Sequence, residues 1–426
     1  MEIIKYPGRE QWNDLVKRPT INVDSLFDLV RTVLDDVCQN GDAAVKSYGE
    51  KFDKVLIPSL EVSDVEKQEA EKLVSDELKE AIARAYDNIY KFHSAQAFNE
   101  VKVETCPGVV CWQKAMPIEK VGLYIPGGTA PLFSTVLMLA TPAKIAGCKE
   151  ILLCTPPNTE GKIHPAIIFA AKTAGVSKIF KVGGIQAVAA MAYGTESIPK
   201  VYKIFGPGNQ YVTAAKQLVS LRDVAIDMPA GPSEVQVIAD AKANPDFIAA
   251  DFLSQAEHGM DSQAILVTDS EEIIQKVQAS ITDQLEQLPR KQITEKALEH
   301  SRIILLKDKE EIIEYTNLYA PEHLIIQTGD YSSYINKIEN AGSVFLGAYT
   351  PESAGDYASG TNHTLPTNGY ARAYSGVNLD SFIKKITFQE ISEVGIKNIG
   401  KTIEIMAENE DLSAHKNAVS VRLKAL

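Results

Sequence analysis

Four stretches hold residues whose types and spacing could do chemistry. Leu253–Gly259 reads LSQAEHG. In a helix Gln255 and His258, three apart, share a face, so an amide oxygen and an imidazole can address one ion. Glu322 and His323 are adjacent in APEHLII. A carboxylate beside an imidazole can divide proton work, one activating water and the other taking protons near neutral pH. Asp356, in AGDYASGTNH, is a hard oxygen ligand or a turn residue. Glu410 and His415 fall in EDLSAHKNAV, where Ser413 can cap the last helix. Each stretch also has a plain structural reading: a capped helix end, a solvated strand end, surface charge.

The elements that would position these residues follow from periodicity. Asn244-Pro245 is an N-cap followed by a first-turn proline. Phe247, Ile248, Phe252 and Leu253 give its helix an apolar face, and Gly259 suits the residue after its end. Upstream, Leu26, Leu29, Val30, Val33, Leu34 and Val37 follow helical spacing up to Gly41. A second helix runs through 43–52, Ser63–Glu66 is a capping box, and Leu78, Ile82, Ala85, Ile89 and Phe92 mark another helix.

From Val121 the pattern changes. VGLYIP (121–126), EILLCTP (150–156), KIFKVGG (178–184) and KIFGPG (203–208) are short apolar runs, with a helical segment at 165–174. A second set at 235–240, 263–270, 302–308, 323–328 and 342–347 alternates with helices near 246–258, 271–286 and 309–318. Buried strands alternating with helices predict parallel sheets covered on both faces. The fold class is therefore α/β, with two successive parallel-sheet units. GGTAP (127–131) and GPGN (206–209) follow strands directly and would let a nucleotide approach the backbone. After Tyr349 a Gly-, Ser- and Thr-rich stretch without elements of its own suggests a site loop, and from Ser381 the chain reads as helical to its end.

Composition narrows the function classes. The chain has 426 residues, 45% hydrophobic and 23% charged, enough for two or more globular domains. Lys+Arg 43 against Asp+Glu 56 gives −13, and no basic block argues for a nucleic-acid partner. The N-terminus lacks an apolar signal segment, and the apolar run 135–148, broken by Pro142 and Lys144, is too short for a bilayer. Five cysteines without a CxxC pair suit a reducing cytoplasm. GxSxG and HExxH do not occur, which leaves nucleophilic hydrolases without support; a zinc-dependent hydrolase with a nucleotide-like pocket stays as the alternative.

Longer blocks then become specific. VGLYIPGGTAPLFSTVLMLATPAKIAGC (121–148), KIFGPGN (203–209), IDMPAGPSEV (226–235), LSQAEHG (253–259), PEHLIIQT (321–328), TPESAGDYASGTNH (350–363) and LSAHKNAVSVR (412–422) together resemble histidinol dehydrogenases, in order and essentially end to end. The resemblance implies oxidation of L-histidinol to L-histidine through L-histidinaldehyde with two NAD⁺ and one Zn²⁺ per subunit. It implies two incomplete Rossmann-like units, aldehyde dehydrogenase-like in architecture: an NAD-binding unit at 118–232 and a discontinuous catalytic unit at 21–117 plus 233–372. A short arm (1–20) and a helical dimerisation tail (373–426) flank them. By the same resemblance Gln255, His258, Asp356 and His415 are the zinc ligands, His323 is the general base and Glu322 activates water. Tyr124, Gln186 and Asn209 contact NAD⁺. Ser233, His323, Glu410 and the four metal ligands contact substrate. The family is a homodimer in which the tail crosses over, so Glu410 and His415 would serve the partner's site.

Overall fold

The computed structural model describes residues 1–19, 26–127, 130–221, 223–228 and 231–426. Thr20 of the arm, residues 21–25, Gly128 and Thr129 of the GGTAP loop, and Pro229 and Ala230 of IDMPAGPSEV lie outside the described residues.

Strands β1 (Glu2–Lys5), β2 (Lys102–Cys106), β3 (Val109–Pro117), β4 (Lys120–Tyr124), β5 (Glu150–Thr155), β6 (Lys178–Lys181), β7 (Lys203–Phe205), β8 (Ala225–Ile226), β9 (Glu234–Ala239), β10 (Gln263–Thr268), β11 (Arg302–Leu305), β12 (His323–Gln327), β13 (Ser343–Leu346) and β14 (Ile383–Ile391) form three sheets among the described residues. Two are parallel, in the orders β6-β5-β4-β7-β8 and β1-β11-β10-β9-β12-β13. This is the α/β class with two parallel units. The third, β14-β3-β2, is antiparallel.

Helices α1 (Trp12–Leu15), α2 (Phe27–Tyr48), α3 (Asp64–Leu73), α4 (Asp76–Ser94), α5 (Phe133–Ala146), α6 (Pro165–Ala174), α7 (Gly184–Tyr193) and α8 (Gln210–Ser220) precede β9. The predicted break at Gly41 is present: its φ of 53° and ψ of −132° kink α2, a conformation glycine adopts without strain. Val30, Val33, Leu34 and Val37 of α2 pack with α7 and α8 against one face of the five-stranded sheet, at Leu152, Phe180 and Ile204. Ile82, Ala85 and Ile89 of α4 pack with α5 and α6 against the other face, at Val121, Leu123 and Leu153. Helix α5 is buried all along its length up to Ala143, which explains why its sequence is apolar all round.

This packing corrects the domain grouping. The helices of 21–117 cover the sheet of 118–232, not that of 233–372. Periodicity shows that a helix face is buried but does not name the sheet that buries it.

Helices α9 (Pro245–Ala256), α10 (Glu271–Leu285), α11 (Lys291–His300) and α12 (Lys309–Tyr319) alternate with the second set of strands. The first three cover one face, at Val235, Leu266 and Ile325. Trp12 and α12 cover the other, at Ile238, Ile265 and Ile326. The N-terminal arm is not separate: β1 pairs in parallel with β11 and closes that edge of the sheet.

Two expectations for the last third are corrected. The loop after Tyr349 holds a helix, α13 (Glu352–Tyr357). The tail is not wholly helical: β14 pairs with β3 before α14 (Glu393–Asn409) and α15 (Ser413–Lys424) form a hairpin. Its alternating KITFQEI pattern is a strand signal, and its partner lies far upstream. Among the described residues no helix is long and apolar enough to cross a membrane.

Candidate active site

Apart from Glu410 and His415, the candidate residues lie along one edge of each parallel sheet, and His363 links the two between Asp356 and Thr135. The five-stranded sheet presents the carboxyl ends of its strands, the usual ligand edge of such sheets. A cavity of about 1050 Å³ opens there, lined by Tyr124, Gln186 and Asn209 together with Asp53, Pro156 and His164. All three predicted cofactor contacts therefore line one cavity. Tyr124 ends β4 and its hydroxyl accepts from Gly184 N at 3.1 Å. Gln186 sits in the first turn of α7; its Nε2 is 3.4 Å from Asp53 Oδ2, and its buried Oε1 has no hydrogen-bond partner. Asn209 caps α8, accepting from Tyr211 N and Val212 N at 3.1 Å each, so its amide nitrogen remains to meet a ligand. Gly206 has φ 122°, and a Cβ there would collide with the Tyr124 carbonyl.

Sequence reasoning missed the pair that holds this turn. Gly206 N donates to Asp227 at 2.8 Å, Gly206 O accepts from Lys216 at 2.9 Å, and Lys216 and Asp227 form a buried ion pair. The cavity fits a dinucleotide: it is large, glycine-backed and carries an orphaned buried amide oxygen.

Burial pushes the Asp53 carboxyl up to about 6, from 3.8. Its protonated form is favoured in the fold, so the contribution to stability is present below the unfolded value and lost as pH rises through the folded one. Asp53→Asn is expected to stabilise the ligand-free protein by about 1 kcal/mol at pH 7.5, after allowance for partial solvent screening. The gain should fade as pH falls towards about 4, and thermal melts across that range check it.

The six-stranded sheet contributes its amino edge. Glu234 opens β9, and Glu322 and His323 enter β12 beside it. Ser233 precedes Glu234 and accepts from Gln263 N at 3.1 Å. Helix α9 runs back to the same edge and ends at Ala256, so Gln255 closes the helix while His258 lies in the turn beyond it.

His258 and Asp356 come together as predicted, with a third residue, Glu352, which the sequence reading overlooked. One ligand-type atom from each lies within 4.8 Å of the others. Gln255 is buried next to them. With its amide oriented to satisfy both neighbours, its nitrogen donates to Glu352 and its oxygen lies 2.7 Å from Glu234 N, whose N–H it shares with Glu322 Oε2 at 2.9 Å. An amide oxygen carries two lone pairs, so this hydrogen bond leaves one for a metal ion. The only signal for Glu352 in the sequence was its spacing, four residues before Asp356 and hence on the same helix face. An imidazole with two carboxylates fits a divalent cation such as zinc and leaves coordination positions open.

His323 is 4% exposed. Its Nδ1 is 3.3 Å from Glu234 O and 3.6 Å from Glu322 Oε2. Its Nε2 is buried without a hydrogen-bond partner, 3.9 Å from Asp356 Oδ1. With Nδ1–H donating to the Glu234 carbonyl, Nε2 is the free lone pair facing the cluster. Burial opposes charging the ring, but Glu352, Glu322 and Asp356 on their own outweigh it and hold the imidazole well above its ordinary pKa, so Nε2 offers its lone pair once a bound cation offsets those carboxylates. Glu352 is itself pushed well above the carboxylate range, first by burial and then by Asp356, Glu322 and Asp251, against the pull of His323.

His363, also overlooked, ties the two units together. Its Nδ1 is 3.0 Å from Asp356 O and its Nε2 is 3.1 Å from Thr135 Oγ1. Thr135 lies in the first turn of α5, just past Ala130 and Pro131 of the cavity wall.

Glu410 and His415 are not drawn into this cluster within the chain. Both are exposed at the α14–α15 turn, and Leu412, Met406, Ile405 and Val421 around them are exposed apolar side chains. A cysteine nucleophile finds no support at Cys148, whose thiol is pushed up to about 12 by burial.

The family model for histidinol dehydrogenase matches residues 16–423. The chain belongs to the histidinol dehydrogenase family. It is 68% identical to a histidinol dehydrogenase of Bacteroides thetaiotaomicron over 426 residues, the whole of both chains. To that of Escherichia coli K12 it is 53% identical over 420 residues, 98% of this chain and 96% of that one. A crystal structure of the histidinol dehydrogenase from Elizabethkingia anophelis superposes with a TM-score of 0.98 at 57% identity, covering 100% of this chain and 98% of that one. As a member of the histidinol dehydrogenase family, the chain is an oxidoreductase.

Proposed function

We propose that this chain oxidises L-histidinol to L-histidine in two NAD⁺-dependent steps at a zinc site, as the last two steps of histidine biosynthesis. The observation that carries the reading is the His323 ring, whose buried, unpartnered Nε2 faces Asp356 of the His258–Glu352–Asp356 cluster while its Nδ1 lies beside Glu322. Zinc would be held by Gln255, His258 and Asp356, with His415 from a second subunit; Glu352 is a further ligand that the cluster suggests. Tyr124, Gln186 and Asn209 would hold the dinucleotide. When bound, NAD⁺ accepts the hydrides, and zinc offsets the carboxylate charge and orients the substrate's imidazole and amine.

The residues then divide the proton work. His323 Nε2 takes the hydroxyl proton as hydride leaves the carbinol carbon. Glu322 takes a proton from the water that adds to the aldehyde carbonyl. His323 takes the proton of the resulting hydrate as the second hydride leaves. Ser233 and the partner subunit's Glu410 would hold the substrate so that the aldehyde stays in place between oxidations.

Two NADH per L-histidine formed, lost on chelation and restored by Zn²⁺, is the expected result. Absence of NADH with histidinol, alongside metal-dependent hydrolysis, would point instead to a zinc hydrolase.

A further inference from the structure

Arg18 lies in the N-terminal arm, which no sequence pattern connects to the site. Its guanidinium is nevertheless 7% exposed and reaches the residues flanking the catalytic pair. Nε donates to Glu234 Oε2 at 2.7 Å and Nη2 to Glu234 Oε1 at 3.0 Å. Nη2 also donates to Tyr319 O at 2.6 Å, the guanidinium stacks 3.6 Å over the Tyr319 ring, and Nη1 is anchored on Val16 O at 3.0 Å.

Glu234, 1% exposed, passes this on. Its Oε1 accepts from Glu322 N at 3.2 Å, while Glu322 Oε2 accepts from Glu234 N at 2.9 Å. Its carbonyl is the 3.3 Å partner of His323 Nδ1. Ala320, in the left-handed region at φ 53°, turns the chain from Tyr319 into Pro321-Glu322-His323. Arg18 therefore holds both sides of the turn that presents the pair: the start of β9 through Glu234 and the entry to β12 through Tyr319.

We propose that Arg18 and Glu234 are positioning residues that fix the Glu322 carboxylate beside His323, and that their loss impairs water activation more than the first hydride step. The proposal rests on the division of labour between Glu322 and His323 given above. Its physical basis is geometric. A planar guanidinium can grip a carboxylate bidentately, stack on a ring and bond a carbonyl at once, which an ammonium cannot. Without it, Glu234 becomes an unpaired buried carboxylate within one hydrogen bond of Glu322, and the two repel. Partners that orient a reacting group from outside the site are typically worth 10- to 100-fold in activity.

The test compares Arg18→Lys, Arg18→Met and the neutral pair Arg18→Met/Glu234→Gln with wild type. It uses single-turnover oxidation of histidinol and, separately, of histidinaldehyde, with NAD⁺ and zinc saturating. The neutral pair leaves no unpaired buried charge and supplies folded protein should Arg18→Met unfold. Expected is a fall of at least about tenfold in the ratio of the aldehyde-step rate to the alcohol-step rate in all three, with the KM for NAD⁺ and the zinc content unchanged. A purely structural arginine would lower both rates together, and an unchanged ratio in the folded variants overturns the proposal. Glu322→Gln is the independent control. If it slows both steps equally, the division of labour itself fails, and the proposal built on it fails too.

Discussion

Replacing His323 with glutamine is expected to lower the turnover of both oxidations by about a thousandfold, the scale of a lost general base. The KM for NAD⁺ should stay within about twofold, because that base takes part in chemistry and not in uniform binding. His323 Nε2 is the buried nitrogen without a partner, and it faces Asp356. Glutamine can keep a hydrogen bond to the Glu234 carbonyl yet carries no titratable nitrogen, so it separates proton transfer from packing. Glu322→Gln should slow the aldehyde step alone, because the first oxidation needs no water. Rapid-quench measurement of the two half-reactions checks both. Normal turnover in His323→Gln would remove the imidazole from the mechanism and leave Glu322 or Glu352 as the base.

Much of this site was legible in sequence, and the missing parts share a physical cause. Strands and helices of the two parallel units were readable because both faces of each sheet are covered, so their strands are continuous apolar runs. Tyr124, Gln186 and Asn209, marked by the family resemblance alone, line one cavity: Tyr124 ends β4, and Gln186 and Asn209 follow β6 and β7 of the same sheet. Glu352 escaped notice because its helix of six residues sits in a polar stretch with no apolar period. Arg18 and Glu234 escaped because their meaning is a contact across 216 positions. The same holds for β14, whose pairing with β3 bridges Ile383 to Pro117. Local pattern fixes elements; which distant element completes a carboxylate or a sheet edge is decided by packing.

The last large effect concerns what this chain lacks by itself. Glu410 and His415 stand exposed at the tip of the α14–α15 hairpin. The hairpin is packed on itself, with Gly400 against Leu423, and shows Val394, Ile405, Met406 and Leu412 to solvent. An apolar surface of this kind calls for a partner, and a cation held by the His258–Glu352–Asp356 cluster would have coordination positions left to fill. If the tail completes the site of a second copy, His258→Asn and His415→Asn homodimers should each be nearly inactive. In a heterodimer of the two, one site pairs both lesions and the other is intact. Random reassortment should therefore restore about a quarter of wild-type activity, as expected for two equivalent interfaces related by a two-fold axis. NADH formation by the reassorted mixture checks that value, and tagged co-expression with purification of the mixed species should give about half of wild-type activity per dimer, since one of its two sites is intact; light scattering shows that each parent assembles. If every site were built within one chain, each subunit of the heterodimer would still carry its own lesion, and no activity would return.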